Sequence, residues 1–459
     1  MTKAVFVVTD LGPGDGGKGG VVHAVAKAQR AHTVVKRGGA QGSHGVRTAT
    51  GSSFAFSQWG CGTFDGIPTH LSSQFIVSPL GLINEATALK DEAGVVDPFS
   101  VLTVDDTCLV ATPFHGIASR LFELTRADHP RGTVGTGVGQ AYRDFTRHPG
   151  IALRVSDLRA AGLRERLYAV RDHVHGYVWP VVEDAEFLRA DSADVRHELE
   201  LLGDDGFVEY TYEQFLLAGT LTRIVPHDYL ASNILPKPGT VVVETSHGVL
   251  TDRVRGFHPH TSAIRTLPSF TRQILDDAGY EGRVINLGVT RAYAVRHGAG
   301  PMPTSDPAMA EHLLPGSNKD DNRYQGKVRV GPIDFVLLRY AIAASGGPEA
   351  FDGLAITWFD QVRANGRWDV CEAYEDPQDT RLYTPTGDIR VPLETSQEYQ
   401  AGLCQSLLVQ TPRITSATLN PDSDYDTLYG VVADRIQSSL GVPVRLVSFG
   451  PTERDKLMK

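Results

Sequence analysis

An apolar run that breaks into a burst of glycine constrains this chain more than any other feature. Val5-Phe6-Val7-Val8 reads as a buried strand, and the turn that follows carries Gly14-Asp15-Gly16-Gly17-Lys18-Gly19-Gly20. Glycines let the backbone curl with its N–H groups inward, Lys18 adds a point charge, and the next helix presents its positive N-terminal end. The natural guest is a nucleoside triphosphate. The spacing differs from that of the common P-loop, because Gly19 stands where the magnesium-holding hydroxyl would be. Taken alone, such a turn is also compatible with a purely structural strand-to-helix connection.

A second glycine turn, Arg37-Gly38-Gly39-Ala40-Gln41-Gly42-Ser43-His44-Gly45, follows a second short strand, Thr33-Val34-Val35-Lys36. Loops at the carboxyl ends of neighbouring strands converge in a doubly wound sheet, so Asp15, Lys18 and His44 are expected at one site. Runs at 74–77, 240–243, 283–287 and 445–448 alternate with longer amphipathic stretches, the pattern of a mostly parallel sheet covered by helices. A helix is expected over 334–345, capped by Asp334 and stopped by Gly346-Gly347, and another over 425–440. The chain of 459 residues has no low-complexity linker or repeat, so residues 1–459 are expected to form one elaborated α/β domain. The charged, less regular stretch 159–235 reads as an insertion beside the sheet.

Composition narrows the function classes. The apolar fraction is 41% and no stretch approaches the ~20 apolar residues that cross a bilayer. The start, Met1-Thr2-Lys3-Ala4, runs straight into a strand without the look of a signal peptide. Cys61, Cys108, Cys371 and Cys404 are scattered and show no metal-site spacing, which fits a cytoplasmic protein. A net charge of −10 argues against nucleic acid or anionic membrane as partner, so phosphate binding must be local.

Several segments together resemble the adenylosuccinate synthetase family. Its Gly-Asp-Glu-Gly-Lys-Gly and Gly-Gly-x-Asn-Ala-Gly-His motifs appear here as 14–19 and 38–44, and its glycine-threonine segment before Ala-Tyr as 132–142. Leu153-Arg154-Val155-Ser156-Asp157-Leu158 follows as it should. Glu244-Thr245-Ser246-His247-Gly248 is similar to Glu-Gly-Ala-Gln-Gly, Arg296-His297-Gly298-Ala299-Gly300-Pro301 to Arg-Val-Gly-Ala-Gly-Pro, and Ser448-Phe449-Gly450-Pro451 to Ser-Thr-Gly-Pro. The resemblance implies a P-loop-NTPase-related α/β fold, a homodimer, magnesium, and GTP as cosubstrate. It also implies a reaction in which the 6-oxo oxygen of inosine monophosphate is phosphorylated and the phosphate is displaced by the amine of aspartate.

Carried onto this chain, the resemblance makes Asp15 the general base, with helix capping as its alternative, and gives His44 and Lys18 to the transferring phosphate. Gly14, Gly16, Gly17, Gly19 and Gly20 would hold the triphosphate, Trp358, Asp360, Ser448 and Gly450 the nucleotide, and Asp15 with Gly42 the metal. Gln41, Val134, His247, Ser262 and His297 fall in the monophosphate site, four of them where the family has Asn, Thr, Gln and Val (Gln41, Val134, His247 and His297) and Ser262 in place of a Thr. Arg147 is the counterpart of an arginine that reaches across the dimer. The family's Lys-x-Asp becomes Trp358-Phe359-Asp360: a retained Asp favours guanine, while loss of the lysine leaves GTP or ATP open. The amino-acid loop, Asn322-Arg323-Tyr324-Gln325-Gly326-Lys327-Val328-Arg329, lacks the expected threonines and offers Tyr324, Gln325, Lys327 and Arg329 instead. These changes suit a specialised paralogue. A phosphotransferase acting without an amine and a noncatalytic nucleotide-binding paralogue are the alternatives.

Overall fold

Strand Ala4–Asp10 lies in the middle of the main sheet, and its position dictates where the glycine turn goes. It pairs in parallel with Thr240–Gly248 on one side and Arg283–Arg291 on the other. Helices cover both faces of such a strand, so it reads as continuously apolar rather than alternating. The computed structural model describes residues 4–126, 129–184, 193–316, 321, 324–375 and 377–459.

From one edge, the sheet runs Lys456–Met458, Val444–Ser448, Gly353–Thr357, Arg283–Arg291, Ala4–Asp10, Thr240–Gly248, Ala31–Gly39, Thr69–Val77, Leu102–Asp105 and Arg223–Val225, with Leu109–Val110 also on Thr69–Val77. Pairing is parallel throughout except at Lys456–Met458, which runs antiparallel along Val444–Ser448. The mostly parallel α/β sheet is thus as the apolar runs suggest, since each run expected to be a strand lies within one.

Helix Lys18–Ala28 springs from the glycine turn and buries Val21, Val22 and Val25 in the core. Helix Phe335–Ala344 begins where Asp334 accepts from the Leu337 N–H at 3.0 Å, and it ends at Gly346 and Gly347, with φ of 114° and 99°. Helix Tyr425–Leu440 has the bounds expected of it.

The 159–235 stretch is mostly helical: Leu163–Asp184, Ala193–Gly203 and Asp205–Leu221. Residues 185–192 of it lie outside the described residues. Leu163, Leu167, Val170, Val174 and Val178 recur at helical spacing and pack into the same core as Phe114, Ile117 and Leu121 of helix Pro113–Leu124. The stretch is more than an appendage, however, because its strand Arg223–Val225 closes one edge of the sheet. A three-residue strand is too short to betray itself by periodicity. A separate four-stranded sheet, Tyr293–His297, Val328–Asp334, Arg367–Tyr374 and Pro412–Thr418, was not foreseen either. It sets His297 opposite Val328.

Candidate active site

Loops at the carboxyl ends of the central strands enclose a cleft with two lobes. One, about 670 Å³, is lined by Gly17, Lys18, Gly19, Gly20, Gly42, His44, Trp358, Asp360, Ser448 and Gly450. The other, about 920 Å³, is lined by the 131–140 loop and by Arg126, Arg143, Arg253, Ser262 and Arg296. Gly14, Asp15, Gln41, Val134, His247, His297 and Gln325 border both. Asp15 therefore stands at the junction.

Each lobe is floored by a helix that starts without a side-chain cap. Gly17 and Gly137 are the N-caps of helices Lys18–Ala28 and Val138–Arg147, both in the left-handed conformation. Their first-turn N–H groups are left to a guest, and the positive helix ends suit an anion. A side chain at Gly17 is barred twice, by φ of 86° and by Thr357 Oγ1, which would lie 2.8 Å from a Cβ. Asp15 does not cap the helix; it lies two residues before the N-cap.

The phosphate-cradle lobe is organised by acids that sequence reasoning passed over. Asp10, buried at the end of the first strand, accepts from Gly12 N–H, Gly16 N–H and Lys18 Nζ, each at 2.8 Å. The Gly16 N–H thus turns inward to Asp10 rather than toward a phosphate, which corrects its expected part in the cradle. Gly16 stands where the family motif has Glu, and a Cβ there would come within 2.7 Å of Asp10 Oδ2. An acid placed just before the turn, at hydrogen-bonding reach of its lysine, was the available signal.

Glu244 is the second buried acid. It accepts from His44 Nδ1 at 2.6 Å and Cys61 N–H at 2.9 Å, and pairs with Lys36 at 3.0 Å. Burial would raise its pKa, but Lys36 and the His44 hydrogen bond outweigh that and hold it well below the usual carboxylate range. His44 has its pKa lowered by burial against the pull of Glu244. His44, Cys61 and Glu244 form a compact cluster of potential metal ligands. The ammonium of Lys36 against Glu244 and the mutual hydrogen bonds already satisfy it, so it is a structural network.

Asp15 is a quarter exposed, accepts from His297 Nδ1 at 2.9 Å, and has its carbonyl held by Arg291 Nε at 2.6 Å. Its φ of 60° is one of four positive values at non-glycine residues among the described residues, and His247 (62°) and Trp358 (59°) are two others. Three of the four thus lie on the cleft, where strained backbone gathers when side chains must be aimed. Gln41 Nε2 donates to His247 Nε2, which leaves the imidazole proton on Nδ1. Burial, then Lys18 and His44, push the His247 pKa down to about 4, so it is neutral at physiological pH.

At the far end of the cradle lobe the Arg291 guanidinium lies over the Trp358 ring, 4.2 Å from its centre. Asp360 sits in the first turn of helix Phe359–Ala364, and burial raises its pKa. Lys456 also lines this end; burial lowers its pKa to about 8 despite Asp455 and Asp360.

In the larger lobe, Glu123 pins the glycine loop by accepting from Arg131 and Gly132 N–H groups at 2.7 Å, and pairs with Arg126 at 2.8 Å. Arg296 makes no ion pair among the described residues, and burial beside Arg329 brings its pKa to about 10. Arg126, Arg143 and Arg253 were missed, since nothing in their spacing marks them, and Arg296 was read only as the first residue of its motif.

Among the described residues of the expected amino-acid loop, only Gln325 borders the cleft. Tyr324 and Lys327 do not line it, and Arg329 turns its Nη2 to the carbonyls of Gly298 and Gly300. Asn322 and Arg323 lie outside the described residues. Arg147 is exposed at the end of its helix, away from both lobes, while Arg143 on the same helix faces the larger one.

With this geometry in hand, comparison with known proteins is decisive. A sequence model of adenylosuccinate synthetase matches residues 7–458. The chain belongs to the adenylosuccinate synthetase family. Among relatives, the adenylosuccinate synthetase of Thioalkalivibrio sulfidiphilus is 26% identical over 85% of this chain and 84% of its own. That of Ectopseudomonas mendocina is 25% identical over 97% and 96%. Fully ligated adenylosuccinate synthetase from Plasmodium falciparum has the same fold, with a TM-score of 0.75 at 16% identity and 99% of each chain covered. Succinoaminodeoxyadenylate synthetase of cyanophage S-2L, bound to dGMP and to dATP as an energy donor, superposes with a TM-score of 0.56 at 16% identity over 100% of this chain and 96% of its own. At 26% identity and below, the family is held while pockets are free to diverge.

Proposed function

We propose that this protein is a nucleotide-dependent C–N ligase that phosphorylates the 6-oxo oxygen of a purine nucleoside monophosphate and replaces it with an amine, by default with GTP, inosine monophosphate and aspartate. The observation that carries this reading is the pair of uncapped helix ends opening on two lobes that meet at Asp15. A triphosphate in the cradle lobe and a monophosphate in the arginine-rich lobe bring a γ-phosphoryl group and a purine oxygen together there.

In this scheme Asp15 takes the N1–H proton as the 6-oxygen attacks the γ-phosphorus, which turns a poor leaving group into phosphate. His297 and Arg291 hold Asp15 in place for the transfer. Glu244 accepts a hydrogen bond from His44 Nδ1–H, so Nε2 donates to a phosphoryl oxygen only when His44 is an imidazolium, a state favoured by the incoming negative charge. Lys18, tied to Asp10, is fixed in position rather than searching. Magnesium fits the oxygen donors of Asp15 and Gly42, which both border the cradle lobe, and when bound would neutralise charge on the triphosphate. The amine then displaces the phosphate, with its carboxylates met by arginines of the larger lobe. Arg147 remains available for a homodimer partner.

A specialised acceptor, such as a guanine deoxynucleotide, is favoured by one observation: Gln41 and His247 hydrogen-bond each other at the junction, so the groups facing a purine differ from the family pattern. The test is diphosphate release with magnesium and GTP or ATP, from a panel of purine monophosphates with and without aspartate, following products by mass. A succinylated product from inosine monophosphate supports the default reaction, and one from another acceptor supports the specialised enzyme. Release that needs no amine would replace the ligase by a phosphotransferase, and binding without turnover by a regulatory paralogue.

A further inference from the structure

The base end of the cradle lobe has an acceptor in Asp360, but residues 358–361 around it carry no cationic side chain. Trp358 carries no charge, and Arg291 is stacked on it while its Nε and Nη1 go to Asp15 O and Tyr293 Oη, at 2.6 and 2.7 Å. The missing cation comes from the edge of the sheet. Strand Lys456–Met458 pairs with Val444–Ser448, placing Lys456 opposite Ser448, and Val444–Ser448 in turn pairs with Gly353–Thr357, which leads into Trp358 and Asp360.

Two strand spacings of ~4.8 Å separate these outer strands, which leaves room for one base edge between side chains on either side. Lys456 and Asp360 both line the lobe and feel each other's charge. The ammonium donates to the Thr452 carbonyl at 2.8 Å, while the Gly450 and Pro451 carbonyls lie at 3.4 Å, too long to satisfy its other two protons well. Its stem passes over the phosphate helix, 3.2 Å from where a Cβ on Gly20 would be. A larger residue at position 20 would push it aside.

We infer that Lys456 is a specificity-determining residue for the energy donor, donating to the 6-oxo oxygen of a guanine whose N1–H and 2-amino group are taken by Asp360. An adenine would instead turn a 6-amino donor toward the ammonium and offer Asp360 no matching pair. The inference rests on the proposed ligase reading only in needing a purine triphosphate in this lobe.

The test is equilibrium binding of GTP, ITP and ATP to the full chain with magnesium, without acceptor or aspartate, for wild type, Lys456→Met and Lys456→Arg. GTP and ITP share the 6-oxo oxygen. Lys456→Met is expected to weaken both by about 10- to 100-fold and leave ATP unchanged, while Lys456→Arg keeps most of the preference. Equal weakening of all three would assign Lys456 to the phosphates and overturn the inference, as would wild type that prefers ATP. Wild type that binds no purine triphosphate overturns the ligase reading as well. Thermal unfolding of each variant confirms that comparison is between folded proteins, and a Lys456→Arg variant that folds but loses the preference counts against the inference.

Discussion

The two lobes of the cleft solve the problem of holding phosphate in opposite ways. Around the phosphate turns of the cradle lobe the buried charges are already paired: Lys18 with Asp10, and Lys36 and His44 with Glu244. Each pair is almost completely buried, so losing one member strands the other. In the larger lobe, Arg131, Arg253 and Arg296 form no ion pair among the described residues and look onto an open cavity. Paired charges fix a site's geometry before the ligand comes. Unpaired ones leave the ligand to complete the electrostatics, so this lobe can change guests at little cost to the fold.

The difference can be broken most sharply at the junction. Asp15→Asn is expected to lower turnover by about 10²- to 10⁴-fold while leaving triphosphate binding within a few-fold, measured by single-turnover diphosphate release and by titration. Unchanged turnover would remove Asp15 from the chemistry. Next comes Glu244→Gln, which leaves Lys36 buried without its counter-charge and is expected to cost about 3–5 kcal/mol in urea unfolding. By contrast, Arg253→Gln is expected to change stability by no more than about 0.5 kcal/mol while raising the acceptor KM. Similar stability losses for the two variants would abolish the contrast.

Acid titration sharpens it further. The Glu244 carboxyl has a lower pKa in the folded chain than in the unfolded one, so its contribution is present above the ordinary carboxylate pKa and is lost as pH falls through the folded value. Wild type should therefore lose stability more steeply on acidification than Glu244→Gln, read as unfolding midpoints from pH 7 downward; parallel curves would count against it. The smallest expected effect is at Val134, which is 36% exposed and borders both lobes. Val134→Thr should alter acceptor selectivity by less than tenfold and leave the melting temperature unchanged.

The same contrast explains what could be read from the chain. Strand Ala4–Asp10, the glycine turn and His44 were legible because apolar continuity, left-handed glycines and a phosphate cradle each impose residue types at short spacing. Asp10 ends the first apolar run and Glu244 opens a family-like motif, but their meaning depends on partners eight and two hundred residues away in the chain, at Lys18 and His44. In the larger lobe the 132–142 glycine segment, Val134 and Ser262 were legible, but most of the arginines were not. Its arginines come from several unrelated segments, and Lys327 and Arg329, which the amino-acid loop offered, do not line it; Arg329 is drawn into the second sheet by strand Val328–Asp334.

The central place of Ala4–Asp10 also has a temporal consequence. This strand is made well before both its partners, Thr240–Gly248 and Arg283–Arg291. At ordinary rates of synthesis its two edges stay unpaired for on the order of tens of seconds. Val5-Phe6-Val7-Val8 is meanwhile an apolar β-prone segment with nothing to zip against, a natural client for a chaperone. The feature that positions the phosphate turn at the heart of the finished fold leaves it, during synthesis, in need of shelter.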